Sequence, residues 1–188
     1  MKIILASQSP RRKELMGLFH IPFVIQVSDA DETMDPTASP AQQVALVSRR
    51  KAEAVTRDTD DLVIAADTIV VCNGQILGKP KDEADASRML HLLSGRDHQV
   101  MTGCSILRGD RCETFTEVTD LHFRPLRRSE ISRYVASGEP MDKAGSYGVQ
   151  GQGALLVERI DGDFFNVMGL PVLLLSQMLQ QFGVDLLS

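Results

Sequence analysis

The chain has 188 residues, 43% of them hydrophobic and 24% charged, with a formal charge of −5 at neutral pH. That length fits one domain, or one with two lobes, and the balance is that of a soluble globular protein with an ample core. The acidic balance and the lack of a long basic run argue against duplex nucleic acid as the main ligand, because such binding is largely phosphate neutralisation by Lys and Arg; no apolar run approaches the roughly 18 residues of a membrane helix.

Residues 2–6 read as a buried first strand, too short for a signal-peptide core and soon followed by two arginines. Ser7-Gln8-Ser9 supplies cap residues and Pro10 suits a first helical turn, which predicts a helix to about Leu18 with Leu15 and Leu18 on one face. Residues 23–27 read as a second strand that enters an acidic turn-rich segment, Ser28-Asp29-Ala30-Asp31-Glu32, kept irregular by Pro36. Ser39-Pro40 opens a long helix to about Thr56, with Val44, Val47, Ala54 and Val55 at helical spacing. Residues 62–66 and 69–72 read as two strands, and Asn73-Gly74 as a hairpin turn into residues 75–77. Asp82 caps a helix that Ser94-Gly95 ends; residues 99–107 and 113–123 form a long hairpin around Arg108-Gly109-Asp110. A helix over 128–137 stops at Gly138, residues 138–153 carry no predicted element, residues 155–160 form a strand, and residues 171–182 form the last helix. Strands and helices alternate throughout, so the class is α/β or α+β with a large mixed sheet.

Three cysteines (Cys72, Cys104, Cys112) are an odd count without CxxC spacing, which fits a reduced, cytoplasmic setting. Four histidines (His20, His91, His98, His122) lack zinc-motif spacing and read as surface or strand-end residues.

The chemistry-bearing residues lie at strand ends and turns. Ser7-Gln8-Ser9-Pro10-Arg11-Arg12 is a strand-to-helix turn whose free amides and guanidiniums suit phosphate oxygens. Arginine in a first helical turn opposes the helix dipole, and a bound anion would give that placement a reason. Asp67 ends an apolar run, and Lys79 returns on a loop restrained by Gly78 and Pro80. With Asp31-Glu32, which follows a strand, Asp67 offers the one or two carboxylates that Mg²⁺ ordinarily takes, the rest of its shell being water and substrate phosphate; Asp67 could instead accept a proton from water. Solvated turn acids and the polar face of a helix, Lys51 included, are the plain alternatives. Walker and G-x-G-x-x-G loops are absent, and the glycines of Gly148-Val149-Gln150-Gly151-Gln152-Gly153 either let backbone approach a ligand or make a mobile loop. Together these groups fit a nucleoside polyphosphate better than a sugar, a peptide or a hydride donor.

The same segments, in the same order, resemble the Maf family of nucleoside triphosphate pyrophosphatases. They are Leu5-Ala6-Ser7-Gln8-Ser9-Pro10-Arg11-Arg12, Asp31-Glu32, Lys51-Ala52, Ala66-Asp67-Thr68, Gly78-Lys79-Pro80, Leu93-Ser94-Gly95, Asp142-Lys143-Ala144-Gly145-Ser146-Tyr147-Gly148-Val149-Gln150-Gly151 and Val167-Met168-Gly169-Leu170-Pro171. The resemblance covers essentially the whole chain. It implies an α/β, Maf/ITPase-like fold: one domain over 1–188, an elongated mixed sheet flanked by helices, and two lobes with a central cleft. It implies hydrolysis of a nucleoside triphosphate to monophosphate and pyrophosphate, with Mg²⁺ or Mn²⁺ as cofactor. Asp67 matches the family's proton acceptor, and Ser7, Arg11, Glu32, Lys51 and Lys79 match the phosphate and metal site. Arg12, Thr68 and Gln150 match the positions that separate a dTTP/UTP branch from a 7-methyl-GTP branch, and here they are similar to the former. Family members are cytoplasmic and often dimeric, so a homodimer is expected, with a small-molecule nucleotide as substrate and neither nucleic acid nor membrane as partner. The alternatives are a nucleotide-binding regulator of cell division, 7-methyl-GTP hydrolysis, or broad clearance of modified pyrimidine nucleotides.

Overall fold

The apolar N-terminal run becomes strand β1 (Ile3–Leu5), and its two parallel neighbours organise the first half of the chain. The computed structural model describes residues 1–27, 29–33, 35 and 37–187, so Ser28 and Pro36, read above as turn residues, lie outside the described residues. From β1 the chain enters helix α1 (Pro10–Gly17), N-capped by Ser9 with Pro10 in its first turn. Leu15 and Met16 are its buried residues; Leu18, expected beside Leu15, lies past the helix end and is exposed. Strand β2 (Val24–Ile25) is shorter than predicted and pairs parallel to β1, Ile4 opposite Val24.

Helix α2 (Pro40–Glu53) starts at a reciprocal cap: the Ser39 hydroxyl accepts the Gln42 N–H, and the Gln42 amide oxygen accepts the Ser39 N–H. It buries Val44, Val47 and Ala52, whereas Ala54 turns out to be exposed. Strand β3 (Leu62–Cys72) then pairs parallel on the other side of β1, with Ile3, Ile4 and Leu5 opposite Leu62, Val63 and Ile64. The connection through α1 therefore leaves β1 on one side, and that through α2 returns on the other. In open α/β sheets such a reversal marks where ligands bind, beyond the carboxyl ends of the strands.

The sequence predicts two strands here, 62–66 and 69–72; the structure has one of 11 residues. Asp67 and Thr68 do not interrupt it, because both are only half-buried and β-branched Thr68 suits a pleated surface. Strand β4 (Gln75–Leu77) folds back through Asn73-Gly74, whose φ values of 50° and 76° are those a tight hairpin turn requires.

Helix α3 (Glu83–Leu93) is capped by Asp82, which accepts the Asp85 N–H at 2.8 Å. Strands β5 (Asp97–Arg108) and β6 (Arg111–Phe123) are neighbours in the sheet joined at Gly109-Asp110, as predicted, followed by helix α4 (Arg128–Ala136). Residues 138–153, expected to be without elements, contain three 3₁₀ turns: Glu139–Asp142, Ala144–Ser146 and Gly151–Leu155. Short i→i+3 bonds such as Lys143 N–H to Pro140 O and Leu156 N–H to Gly153 O satisfy the backbone where glycine and proline disfavour a longer helix. Strand β7 (Val157–Asp161) pairs antiparallel to β6, and helices α5 (Phe164–Met168), which was not foreseen, and α6 (Val172–Gln180) complete the chain. Among the described residues the sheet is mixed and seven-stranded, ordered β2-β1-β3-β5-β6-β7 with β4 on β3, the large mixed sheet expected from the sequence.

The fold divides into two compact units. The first, Met1–Asp67 with Thr102–Glu117 and Met168–Ser188, has a core that includes Ile4, Val63, Ala65, Ala52 and Leu107. The second, Thr68–Met101 with Val118–Val167, is built around Leu90, Leu93, Phe123, Ile131 and Tyr147. Cys72, Cys104 and Cys112 are free thiols, the first two buried. No helix among the described residues is long and apolar enough to cross a membrane.

His98, expected at a surface or a strand end, is at a strand end but buried, with the rings of Phe123 and Tyr147 edge-on to it. Its Nε2 lies 2.7 Å from the Tyr147 hydroxyl. Burial holds the imidazole neutral, its pKa pulled down to about 4 from 6.5, and burial likewise raises the Tyr147 phenol, so both groups stay uncharged across this contact. Because the folded pKa is depressed, the unfolded chain binds the proton first. Stability should therefore be intact above pH 6.5 and fall as pH drops from there through 4; thermal melts of parent and His98→Phe should show that acid loss in the parent and a shallower one in the variant.

Candidate active site

The carboxyl end of β1 and the middle of β3, just past the stretch paired to β1, are where the predicted residues of the first unit gather. Asp67 follows five consecutive buried residues, Leu62 to Ala66, so the strand core fixes its position while its carboxylate stays partly accessible. Lys51 lies in the last turn of α2, a favourable place for a cation at the negative end of the helix dipole. Its ammonium contacts Asp67 Oδ1 at 2.7 Å and Glu32 Oε1 at 3.0 Å. The Lys51 and Asp67 side chains are each 13% exposed and Glu32 is 65% exposed, so the first pair is the well-shielded one and the second opens to water. Neighbouring Arg50 donates from Nη1 to the Thr33 carbonyl at 2.7 Å, tying the segment that carries Glu32 to α2.

The turn after β1 is built from its own side chains. Ser7 Oγ accepts the Ser9 N–H at 3.2 Å, and Ser9 Oγ accepts the Arg12 N–H at 3.4 Å. Arg12 is half-buried and donates from Nε to the Gly169 carbonyl at 2.7 Å and from Nη1 to Ser7 Oγ at 3.2 Å. Desolvation lowers the pKa of its guanidinium, and the negative charge of Asp67 is the strongest influence in the opposite direction. The unfavourable placement of Arg12 against the dipole of α1 thus has an internal reason: a carbonyl, a hydroxyl and a nearby carboxylate. Arg11 sits beside it, half-buried. Gly169, with φ of 107°, was part of the quoted pattern but had no assigned role; its carbonyl positions Arg12, a contact no spacing rule announces.

The other three predicted residues belong to the second unit. Thr68 is half-buried in β3; Lys79 is exposed between Gly78 and Pro80; Gln150 is exposed and precedes the 3₁₀ turn Gly151–Leu155. Asn166, given no role from the sequence, is fully buried and donates to the Val100 carbonyl and to Thr119 Oγ1, a structural anchor.

No group of three or more His, Cys, Asp or Glu side chains among the described residues forms a metal-ligand cluster. Two carboxylates converging on one point suffice for a hard divalent ion that keeps water and phosphate in its shell. Glu32 and Asp67 do converge, and the Lys51 ammonium is a cation standing between them. The donor set therefore fits Mg²⁺ or Mn²⁺, in charge and in ligand type.

Relatives named dTTP/UTP pyrophosphatase from Bacillus velezensis and from Bacillus cereus strain AH820 are 49% and 50% identical to the chain, the alignments covering 97% and 98% of it and 97% of each relative. Among solved structures, a HAM1 protein from Coxiella burnetii overlaps 65% of this chain and 73% of its own at a TM-score of 0.45 and 17% identity. The model of the Maf-like protein family matches residues 2–182, from β1 through the last helix, and the chain belongs to that family.

Proposed function

We propose that the chain hydrolyses dTTP and UTP to the monophosphate and pyrophosphate. The observation that carries this reading is the Lys51 ammonium held between Asp67 and Glu32, beside the point where β3 runs on past the carboxyl end of its parallel neighbour β1. A carboxylate that must accept a proton and a cation that must meet phosphate are already within 2.7 Å of each other. The names of relatives about half identical over nearly the full length support the substrate.

In this mechanism a water oxygen attacks the α-phosphorus, its proton passes to the Asp67 carboxylate, and the bond from the α-phosphorus to the bridging oxygen breaks, releasing pyrophosphate. Ser7, Arg11, Lys51 and Lys79 bind the triphosphate and offset its charge, the contribution that dominates phosphoryl chemistry. Glu32 and Asp67 would hold the divalent cation, which when bound supplies Lewis-acid polarisation of the phosphate. Thr68 and Gln150, with Arg12, carry the choice of base; an amide that both donates and accepts matches a pyrimidine edge in which a carbonyl adjoins an N–H. The protein works as a cytoplasmic homodimer.

The test is a nucleotide panel assayed for pyrophosphate release with Mg²⁺ or Mn²⁺. Turnover of dTTP and UTP well above the purine nucleotides is expected. A preference for 7-methyl-GTP would overturn the choice of base, and tight dTTP binding without pyrophosphate release would indicate a regulator.

A further inference from the structure

The glycine tract of residues 148–153 is neither a phosphate loop nor slack chain: it is wrapped around a single carboxylate. Glu139 sits in the first 3₁₀ turn after α4, half-buried. Its Oε1 accepts the Tyr134 hydroxyl at 3.0 Å and the Gly153 N–H at 3.0 Å, and its Oε2 accepts the Gln152 N–H at 3.0 Å. Tyr134 Oη in turn accepts the Gly148 N–H at 3.2 Å. Successive backbone amides that converge in this way form an anion nest, filled here by the protein's own side chain. Burial raises the Tyr134 phenol above its ordinary pKa, so the hydroxyl stays a donor.

The glycines are what this wrapping demands. A Cβ on Gly151, whose φ is 65°, would lie 2.9 Å from Glu139 Oε2. One on Gly153 would lie 2.0 Å from the Gly148 carbonyl oxygen and 2.6 Å from Tyr134 Oη. Gln150 stands between the two tethered ends, Gly148 on one side and Gln152-Gly153 on the other, with its own side chain exposed.

We propose that Glu139, through Tyr134 and the amides of Gln152 and Gly153, is the positioning residue that holds Gln150 where it selects the base. This rests on the reading of Gln150 as base-selecting. Hydrogen-bonded selection requires a polar group fixed in place, because an amide free to swing accepts the wrong edge nearly as well as the right one. An Ala side chain at 139 removes three acceptor contacts. In Glu139→Gln, Oε1 can keep Tyr134 and Gly153, but an NH₂ group meets the Gln152 N–H, so the loss should be smaller.

The experiment is a double-mutant cycle on discrimination, kcat/KM for dTTP relative to dGTP, in the full-length protein. Glu139→Ala and Gln150→Ala should each lower that ratio by about tenfold, the scale of one misplaced polar contact. The double variant should lose no more than Gln150→Ala alone, with kcat for dTTP within about threefold of the parent in Glu139→Ala. Should Glu139→Ala fail to fold, Glu139→Gln and Tyr134→Phe read the same cycle with smaller losses. Unchanged discrimination in the Glu139 variants while Gln150→Ala loses it would overturn the positioning role alone. Losses that multiply in the double variant would show Glu139 acting elsewhere and would also overturn it. Unchanged discrimination in Gln150→Ala would overturn the base-selecting reading and the proposal with it.

Discussion

Replacing Gly103 by alanine should lower the stability of the protein by about 3 kcal/mol or more, a large part of a typical domain's margin. Gly103 lies in the middle of β5, where α2 packs directly on the strand. A Cβ built there would fall 2.3 Å from the Val44 carbonyl oxygen, 2.4 Å from the Val44 carbonyl carbon and 2.6 Å from the Ala45 nitrogen. Those are backbone atoms inside a helix, so no rotamer change relieves the overlap; the helix or the strand must move. The helix is pinned where it stands. Ser48 and Ser105 share a buried hydroxyl contact at 2.8 Å, and Thr116 Oγ1 donates to the Ala41 carbonyl at 3.2 Å. Lifting α2 by the amount a methyl group needs would break these contacts and draw Lys51 away from Asp67. A melting temperature lower by about 10 °C is expected, with reduced turnover in whatever remains folded. Gly17→Ala is the control: its added Cβ meets no atom within 4 Å and should leave the melting temperature within a degree or two of the parent or slightly above it. A Gly103→Ala protein as stable as the parent would mean that helix and strand separate without cost, against the geometry.

Gly103 also shows where sequence reading stops. The helix starts at Ser9-Pro10 and Ser39-Pro40, the cap at Asp82 and the turn at Asn73-Gly74 were legible because their causes are local: a side-chain oxygen within three residues of the amide it serves, or a φ that only certain residues adopt. Gly103 sits in a stretch, Thr102-Gly103-Cys104-Ser105, that reads as ordinary strand, and the helix it must admit belongs to a distant part of the chain. An isolated glycine in a strand hints at a close backbone approach without saying what approaches. The candidate site divides along the same line. Asp67 and the pair Asp31-Glu32 were nominated by residue type and position, the family resemblance singled out Glu32 and Lys51, and the structure of the first unit brings Asp67, Glu32 and Lys51 together. The engagement of Arg12 by Gly169, the burial of His98 against Tyr147 and the Glu139 clamp depend on residues far apart in sequence, and only the fold makes them neighbours. The single long β3 was missed for the opposite reason. The pair Asp67-Thr68 looks like a break locally, whereas parallel pairing to β1 and the hairpin with β4 support the strand on both sides of it.

Asp67→Asn should lower kcat for dTTP by about a thousandfold while leaving the protein folded, because loss of a positioned proton acceptor costs on the order of 10²–10⁴ in rate. The side chains have the same shape, so the packing of β3 is untouched. What changes is charge. The amide cannot take the proton of the attacking water, and among the described residues the Lys51 ammonium keeps Glu32, whose side chain is 65% exposed, as its ionic partner. The second consequence raises a rival explanation, in which Asp67 serves only to hold Lys51 on the triphosphate. Lys51→Ala separates the two. It removes a phosphate-binding cation but leaves the carboxylate, so it should act mainly by raising KM, with a much smaller effect on kcat than Asp67→Asn. If Asp67 is the proton acceptor, the double variant should be as slow as Asp67→Asn and bind as weakly as Lys51→Ala. If the carboxylate merely anchors the lysine, the two single variants should show the same losses in kcat and KM, and combining them should add nothing. Steady-state kinetics on the four proteins, with melting curves to show that each is folded, decide between a base and a tether. Near-parental kcat in Asp67→Asn would remove Asp67 from the chemistry altogether.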